Sequence, residues 1–341
     1  MDYELTVTKS ALQNAILRSG IGYADNSSMP DSVSRVMREC VGVISEKLGA
    51  KKSLVAHALG EFHHAALIAE RIAAADLLQS LGADANHINE KGLNAIFVHL
   101  ISDKPRSAMT CLSANLIDVN ARIPMARESE FFAIGATPLH VASHMVLASK
   151  TSPEEFYEFA VTALECGADA SAKDINGVTP LYSVVSATVN NATKSRHLRN
   201  DLAVLLVDFD ADPFMGSPNN PNDCSENSLL GKAVLSMDRD MGILLGAKSS
   251  RPTHEISRKM LGAFFVAVVN NRREAMQSLF EFGCDPNEEL AGHKLEDYLS
   301  GVSSETAQLA RTLATQAAVR KELDGAEIDA KTVKPSRMSP I

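Results

Sequence analysis

The sequence predicts an all-α protein built from repeated helical units. Three segments share one pattern, in which an apolar helix end is followed by glycine and a polar turn: 77–86, 163–169 and 279–287. Glycine suits the point where a chain leaves a helix with positive φ. The composition agrees, because Trp is absent, aromatic residues make up only 5%, and strong helix formers such as Ala and Leu are plentiful.

A second pattern follows the first after about ten residues. Residues 135–142 read GATPLHVA, and residues 177–182 read GVTPLY. Thr can cap a helix, Pro fits the first turn because that turn needs no N–H donor, and Leu begins the buried face. The pattern therefore predicts that Leu139 and Leu181 are buried.

Together the two patterns resemble the ankyrin-repeat family, whose signature joins G-x-T-P-L-H-x-A-A to L-L-x-x-G-A-D-x-N. The resemblance covers about residues 55–300 and implies roughly six degenerate repeats stacked as a solenoid. Each repeat would be an antiparallel helix pair, and neighbouring repeats would be joined by short β-hairpin fingers. In the family the motif histidine tightens the turn between repeats. His140 fills this place, and His64 is expected to fill it in the first repeat.

The resemblance also sets the register of the array. The copies are expected to end near residues 84, 118, 169, 212, 248 and 285. Counting back from these ends places the start of the first repeat's helix at Glu61 and the start of the last repeat's helix at Gly262.

The two ends of the chain do not fit the repeat. Apolar spacing predicts helices over Asp2–Ile16 and Asp31–Leu48, so residues 1–54 form either a helical N-terminal cap or a small separate interaction module. Residues 301–330 are expected to form a C-terminal capping helix. Residues 331–341 hold two prolines and two lysines without an apolar pattern, which predicts a disordered tail.

Charge and composition limit the partners. The formal net charge is −9, which disfavours binding to nucleic acid because phosphates would be repelled. The five cysteines are scattered, which favours reduced thiols and a cytoplasmic protein. No apolar run is long enough for membrane insertion. We expect a monomer that binds another protein. The alternative location is a eukaryotic host cell, into which a bacterium would secrete the chain as an effector.

No motif predicts an enzyme, a metal or a cofactor. His140 and His144 are four residues apart on one predicted helix, but the residue after His140 is Val141 where a zinc protease needs Glu. Asp208, Asp210 and Asp212 alternate as in a calcium loop, which would need glycine at its sixth position and glutamate at its twelfth. The less favoured alternative is an enzyme with a cryptic site in the N-terminal segment.

The family resemblance implies that a partner binds at the finger tips and at the exposed side of each first helix. This surface mixes polar and apolar residues, which suits a protein partner. The finger residues at matching positions are Glu90, Lys91, Leu93, Ile134, Ile175, Asn176 and Val178. The helix residues are His144, Met145 and Ser186.

One finger, from Arg122 to Ile134, is longer than the repeat requires and carries Phe131 and Phe132. Two interpretations stay open. At least one ring is exposed and anchors the partner, since aromatic side chains dominate many interfaces. Alternatively, one ring packs against the neighbouring finger or under the insertion at Ser149–Glu155 and belongs to the fold.

Overall fold

A computed structural model describes residues 3–19, 29–49, 52–124, 132–149, 152–187, 193–236 and 254–332, and over these residues the protein is all-α. The helices are α1 Tyr3–Arg18, α2 Asp31–Leu48, α3 Lys52–Ile68, α4 Ile72–Ser80, α5 Ala95–Ile101, α6 Pro105–Ser113, α7 Pro138–Ala148, α8 Pro153–Glu165, α9 Pro180–Ser186, α10 Thr193–Asp208, α11 Leu229–Ser236, α12 His254–Val269, α13 Arg273–Glu281, α14 Leu295–Tyr298 and α15 Ser304–Thr332.

The chain forms two compact units. The first comprises Met1–Val184 and Val189–Leu205, and the second comprises Val185–Thr188 and Leu206–Ile341. Three helix pairs of the first unit, α3/α4, α5/α6 and α7/α8, pack within the pair and have connections of three or four residues. Such short connections make the paired helices antiparallel. Equivalent helices of successive pairs also pack together, namely α3 with α5, α5 with α7, and α6 with α8.

The cores follow the predicted apolar positions. Leu139 and Leu181 are both completely buried, as the Thr-Pro-Leu pattern predicts. Phe156 and Phe159 of α8 are also fully buried. In the second unit, α12 packs against α11, α13, α14 and α15, and its Phe264 is fully buried.

The chain makes the same turn after α4, α6, α8, α10 and α13. One residue takes a φ between 55° and 99°, and the next N–H donates to the carbonyl five residues back. An aspartate one or two residues later accepts the N–H two positions further on, which fixes the exit from the turn. These aspartates are Asp84, Asp118, Asp169, Asp212 and Asp285. The copy predicted to end near residue 248 lies outside the described residues.

Side chains also join successive turns of the first unit. The Asn86 side-chain oxygen accepts the N–H of Asp118 at 3.2 Å, and the Asn120 oxygen accepts the N–H of Asp169 at 2.8 Å. The Asn120 amide donates to the Gly167 carbonyl at 3.0 Å. Three turns are thereby held in a row along one side of the helix pairs.

The N-terminal helices lie where the apolar spacing predicts them. α1 and α2 pack on each other, and both contact α3.

The predicted helix starts at Glu61 and Gly262 are wrong, because α3 begins at Lys52 and α12 at His254. No proline interrupts either longer helix, and both bury apolar residues before the predicted start, such as Leu59 and Leu261. The predicted boundary at residue 54 therefore falls inside α3.

The β-hairpin fingers are not formed as strands. Within the described ranges no strand occurs, and the two isolated bridges join Ser217 to Asn220 and Leu290 to His293. Isolated backbone hydrogen bonds close the fingers without forming a ladder, such as Asn89 N–H to the Leu93 carbonyl and Asp174 N–H to the Val178 carbonyl.

At the C-terminal end, α15 packs on α12 and α13, as a capping helix should. The helix continues through Thr332, two residues into the stretch predicted to be disordered. Residues 333–341 lie outside the described residues.

Candidate partner-binding surface

The start of α7 carries the most fully bonded copy of the histidine motif. The Thr137 N–H donates to His140 Nδ1 at 3.1 Å, and the Thr137 hydroxyl lies 2.9 Å from the same nitrogen. His140 Nε2 lies 3.0 Å from the Val178 carbonyl, to which it donates because Nδ1 already accepts. The ring thus ties α7 to the following finger. Both nitrogens are occupied, so His140 is not available as a metal ligand.

His64 takes this role only in part. It lies inside α3, where Glu61 replaces the capping threonine, and its Nδ1 has no hydrogen-bond partner among the described residues. A hydrogen bond to the His87 backbone still ties the ring to the following turn. Thr137 is at a helix start, whereas Glu61 is in a helix interior whose N–H groups bond within the helix.

Two fingers of the first unit are held by the same side-chain turn. The Asn89 oxygen accepts the N–H groups of Lys91 and Leu93 at 2.9 and 3.1 Å. The Asp174 carboxylate accepts the N–H groups of Asn176 and Val178 at 2.8 and 2.9 Å. In each finger the residues before and at the tip, Glu90 with Lys91 and Ile175 with Asn176, are exposed, while Leu93 and Val178 are half-buried.

The enlarged finger is held differently. Ile123 exchanges hydrogen bonds with the far side of the finger, accepting from Gly135 at 2.8 Å and donating to Ala136 at 3.0 Å. The Ile134 carbonyl accepts the N–H of Ile175 at 2.9 Å, so this finger and the next one lie side by side. Arg122 strengthens the junction, since its guanidinium donates to the carbonyls of Gly135 and Lys173.

Phe132 packs on α7. Its ring lies edge-on to His144, with 5.4 Å between the ring centroids, and the side chain is half-buried. His144 is exposed as a residue, although partial burial of its ring lowers its pKa. This contact agrees with the interpretation that one phenylalanine of the finger belongs to the fold. Phe131 lies outside the described residues.

The structure therefore brings some of the predicted surface residues together. Phe132 contacts His144, and Ile134 pairs with Ile175, whose side chain is 66% exposed. Met145 is half-buried beside His144 on α7. Ser186 is exposed but belongs to the second unit.

Two apolar residues of the surface were not predicted. Ile101 is 39% exposed and follows the capping residue Asn94 by seven positions, as His144 follows Thr137. Ile88 is 43% exposed in the turn before the first finger. Aligning the copies on their capping residues would have found Ile101.

Metal-binding groups and reactive thiols can be checked among the described residues. No three His, Cys, Asp or Glu side chains in the described ranges are placed to hold a metal ion. Burial raises the pKa of the Cys111 thiol to about 12 and also raises that of Cys284, so both are protonated and poorly nucleophilic at neutral pH.

Comparison with known proteins gives no family. No protein-family model matches the sequence, and no characterised protein matches it significantly. The described helices include none that is both long and apolar enough to cross a membrane.

Proposed function

We propose that the chain is an ankyrin-like repeat array that holds a partner protein on its fingers and first helices. The observation that carries the proposal is the backbone bond that pairs two fingers at Ile134 and Ile175, together with the packing of Phe132 from the first of these fingers on His144 of α7.

The repeated turns support the array. Five of the expected repeat ends share one left-handed residue, one backbone bond and one aspartate turn. The stacking of equivalent helices in the first unit is the packing expected when each unit buries its apolar face against its neighbours. The fold alone would not specify function, so the surface must carry that part of the proposal.

The surface supports a protein partner for two reasons. Ile175 and Ile101 expose apolar side chains on elements whose backbones are fixed by hydrogen bonds, so little conformational entropy is lost when they bind. The polar residues around them, such as Glu90, Lys91 and Asn176, resemble the polar rim of a protein interface.

The double substitution Phe132→Ser with Ile175→Ser is expected to weaken partner binding by roughly 2 kcal/mol or more, or about thirtyfold in Kd. The partner is captured from cell lysate on the immobilised protein, identified by mass spectrometry and titrated against each variant. A melting curve verifies that the double variant is folded.

Val319→Ser is the matched control, because it removes an apolar side chain that is 50% exposed on α15, in the second unit. It should leave Kd unchanged. If the folded double variant binds as tightly as the unchanged protein, the finger surface is not the binding site.

A further inference from the structure

Histidines are concentrated at the N-terminal end of the first unit. The chain has ten, and five of them lie between residues 57 and 99. Three of the five are buried, with exposed fractions of 0% for His63, 8% for His87 and 2% for His99. Buried histidines are less common than buried apolar residues, so such a group needs a physical explanation.

Other helix pairs place apolar residues at the same positions. His63 precedes the left-handed Glu70 by seven residues, as the fully buried Ile96 precedes Asp103. His99 follows the capping residue Asn94 by five residues, as Ala142 follows Thr137. The interior of α3 and α5 thus carries imidazoles where the fold itself requires only apolar side chains.

His87 shows the same replacement in a turn. It follows Asp84 by three residues, where the later turns bury Ala121 and Ala172. Gly60 of α3 makes room for the larger ring, since a Cβ built at this glycine would lie 2.9 Å from His87 Cβ.

Three of the five rings are in contact with one another, and the group makes few hydrogen bonds. The His87 ring centroid lies 5.0 Å from that of His57 and 6.1 Å from that of His64. The described residues offer no hydrogen-bond partner to either nitrogen of His63 or to Nδ1 of His64 and His87. His99 is better satisfied, because its Nε2 lies 3.1 Å from the Leu67 carbonyl.

Few charges are placed to stabilise a protonated ring here. Asp84 acts on His63 and His87, Glu61 acts on His87, and Glu70 and Lys104 act on His99 with opposite signs. Lys9 of α1 lies 3.8 Å from Glu61 and offsets its charge. On α7, which packs on α5, both ring nitrogens of His140 are hydrogen-bonded, and His144 is exposed. The charged side chains of α2, α4 and α6 are all exposed: Asp31, Arg35, Arg38, Glu39, Glu46, Lys47, Asp76 and Arg106.

Burial therefore dominates the titration. It lowers the pKa of His63 to about 4, with a smaller lowering from His64, and it also lowers the pKa of His64, His87 and His99. In the unfolded chain the pKa of a histidine is about 6.5. The unfolded state thus takes up protons first, so the stabilising contribution is present above that pH and is lost as the pH falls below it.

We propose that residues 52–104, which carry this histidine group, form a pH-sensitive element that opens in mildly acidic solution while the second compact unit stays closed. The proposal does not depend on the finger surface. Opening would unfold α3 to α5, which pack directly on α1 and on α7. Acid would in this way loosen the array from its N-terminal end.

Hydrogen exchange followed by mass spectrometry tests the proposal on the full chain at pH 7.5 and pH 5.5. Rates are corrected for the pH dependence of intrinsic exchange. Between pH 7.5 and pH 5.5 the opening constant of residues 52–104 should rise about tenfold from His63 alone. In this range the unfolded state binds about one proton that the folded state does not bind. Residues 254–323 are the internal control, since their histidines, His254 and His293, are exposed. A rise no larger than that of this control would overturn the proposal.

The double variant His63→Leu with His87→Ala places apolar side chains at these positions, as the other copies do. It should remove most of the pH dependence and keep the protection measured at pH 7.5. A double variant that keeps the full tenfold rise would refute the assignment to these rings. If the double variant does not fold, His63→Leu alone carries the same test, because His63 has the pKa lowered to about 4.

Discussion

Leu139→Ala should lower the free energy of unfolding by about 2–5 kcal/mol, because it removes buried apolar volume and leaves a cavity. Leu139 is completely buried, and α7 packs on both α5 and α8, so the cavity would lie within the stacked pairs of the first unit. Urea unfolding followed by circular dichroism measures the change. In a repeat array each unit stabilises its neighbours, so the loss should extend beyond α7.

Ile101→Ala is the control for this substitution. Ile101 also lies on a first helix, but it is 39% exposed, so its truncation should cost well under half as much. Equal urea midpoints for Leu139→Ala and the unchanged protein would show that the register of the Thr-Pro-Leu copies is wrong.

Gly262→Ala should destabilise the second unit by about 1–3 kcal/mol through overpacking. A Cβ at this position of α12 would lie 2.1 Å from the Cys224 carbonyl oxygen and 2.7 Å from its Cβ. Because the nearest atom belongs to the backbone, the turn before α11 or the helix itself must move. The same urea titration reports the cost.

Gly42→Ala has the opposite expected sign. Gly42 is in the interior of α2, and a Cβ there would meet nothing within 4 Å, so alanine should stabilise the helix by about 0.5–1 kcal/mol. If Gly262→Ala instead raised the free energy of unfolding, α12 and the turn at Cys224 would not lie this close to each other.

The sequence predicted the parts of the fold that local patterns determine. Apolar spacing located α2 to its first and last residue, and the Thr-Pro-Leu pattern identified Leu139 and Leu181 as core. The helix starts at Glu61 and Gly262 were wrong because they were counted from a family motif. The chain itself has no breaker at either position, and buried residues continue the helix toward its N-terminus.

The surface could be predicted only in part, because long-range contacts decide it. The bond between Ile134 and Ile175 joins residues 41 positions apart, and no local pattern predicts that the two fingers pair. Phe132 lies where the other two fingers carry Asn89 or Asp174, whose side chains accept backbone N–H groups of the finger. In the enlarged finger the packing of the Phe132 ring against His144 takes the place of those hydrogen bonds. The buried His63 was equally unpredictable, since a polar residue at a core position contradicts the usual pattern.

Site-specific photo-cross-linking tests whether the fingers bind a partner protein. A photoreactive amino acid is placed at Ile175, on the finger surface, and separately at Glu158, an exposed residue on the second helix of a neighbouring pair. Each protein is irradiated in lysate, and the adducts are identified by mass spectrometry. We expect one partner protein to be linked from position 175 and not from position 158. Equal adducts from both positions, or none from position 175 when the partner is bound, would contradict a binding surface on the fingers.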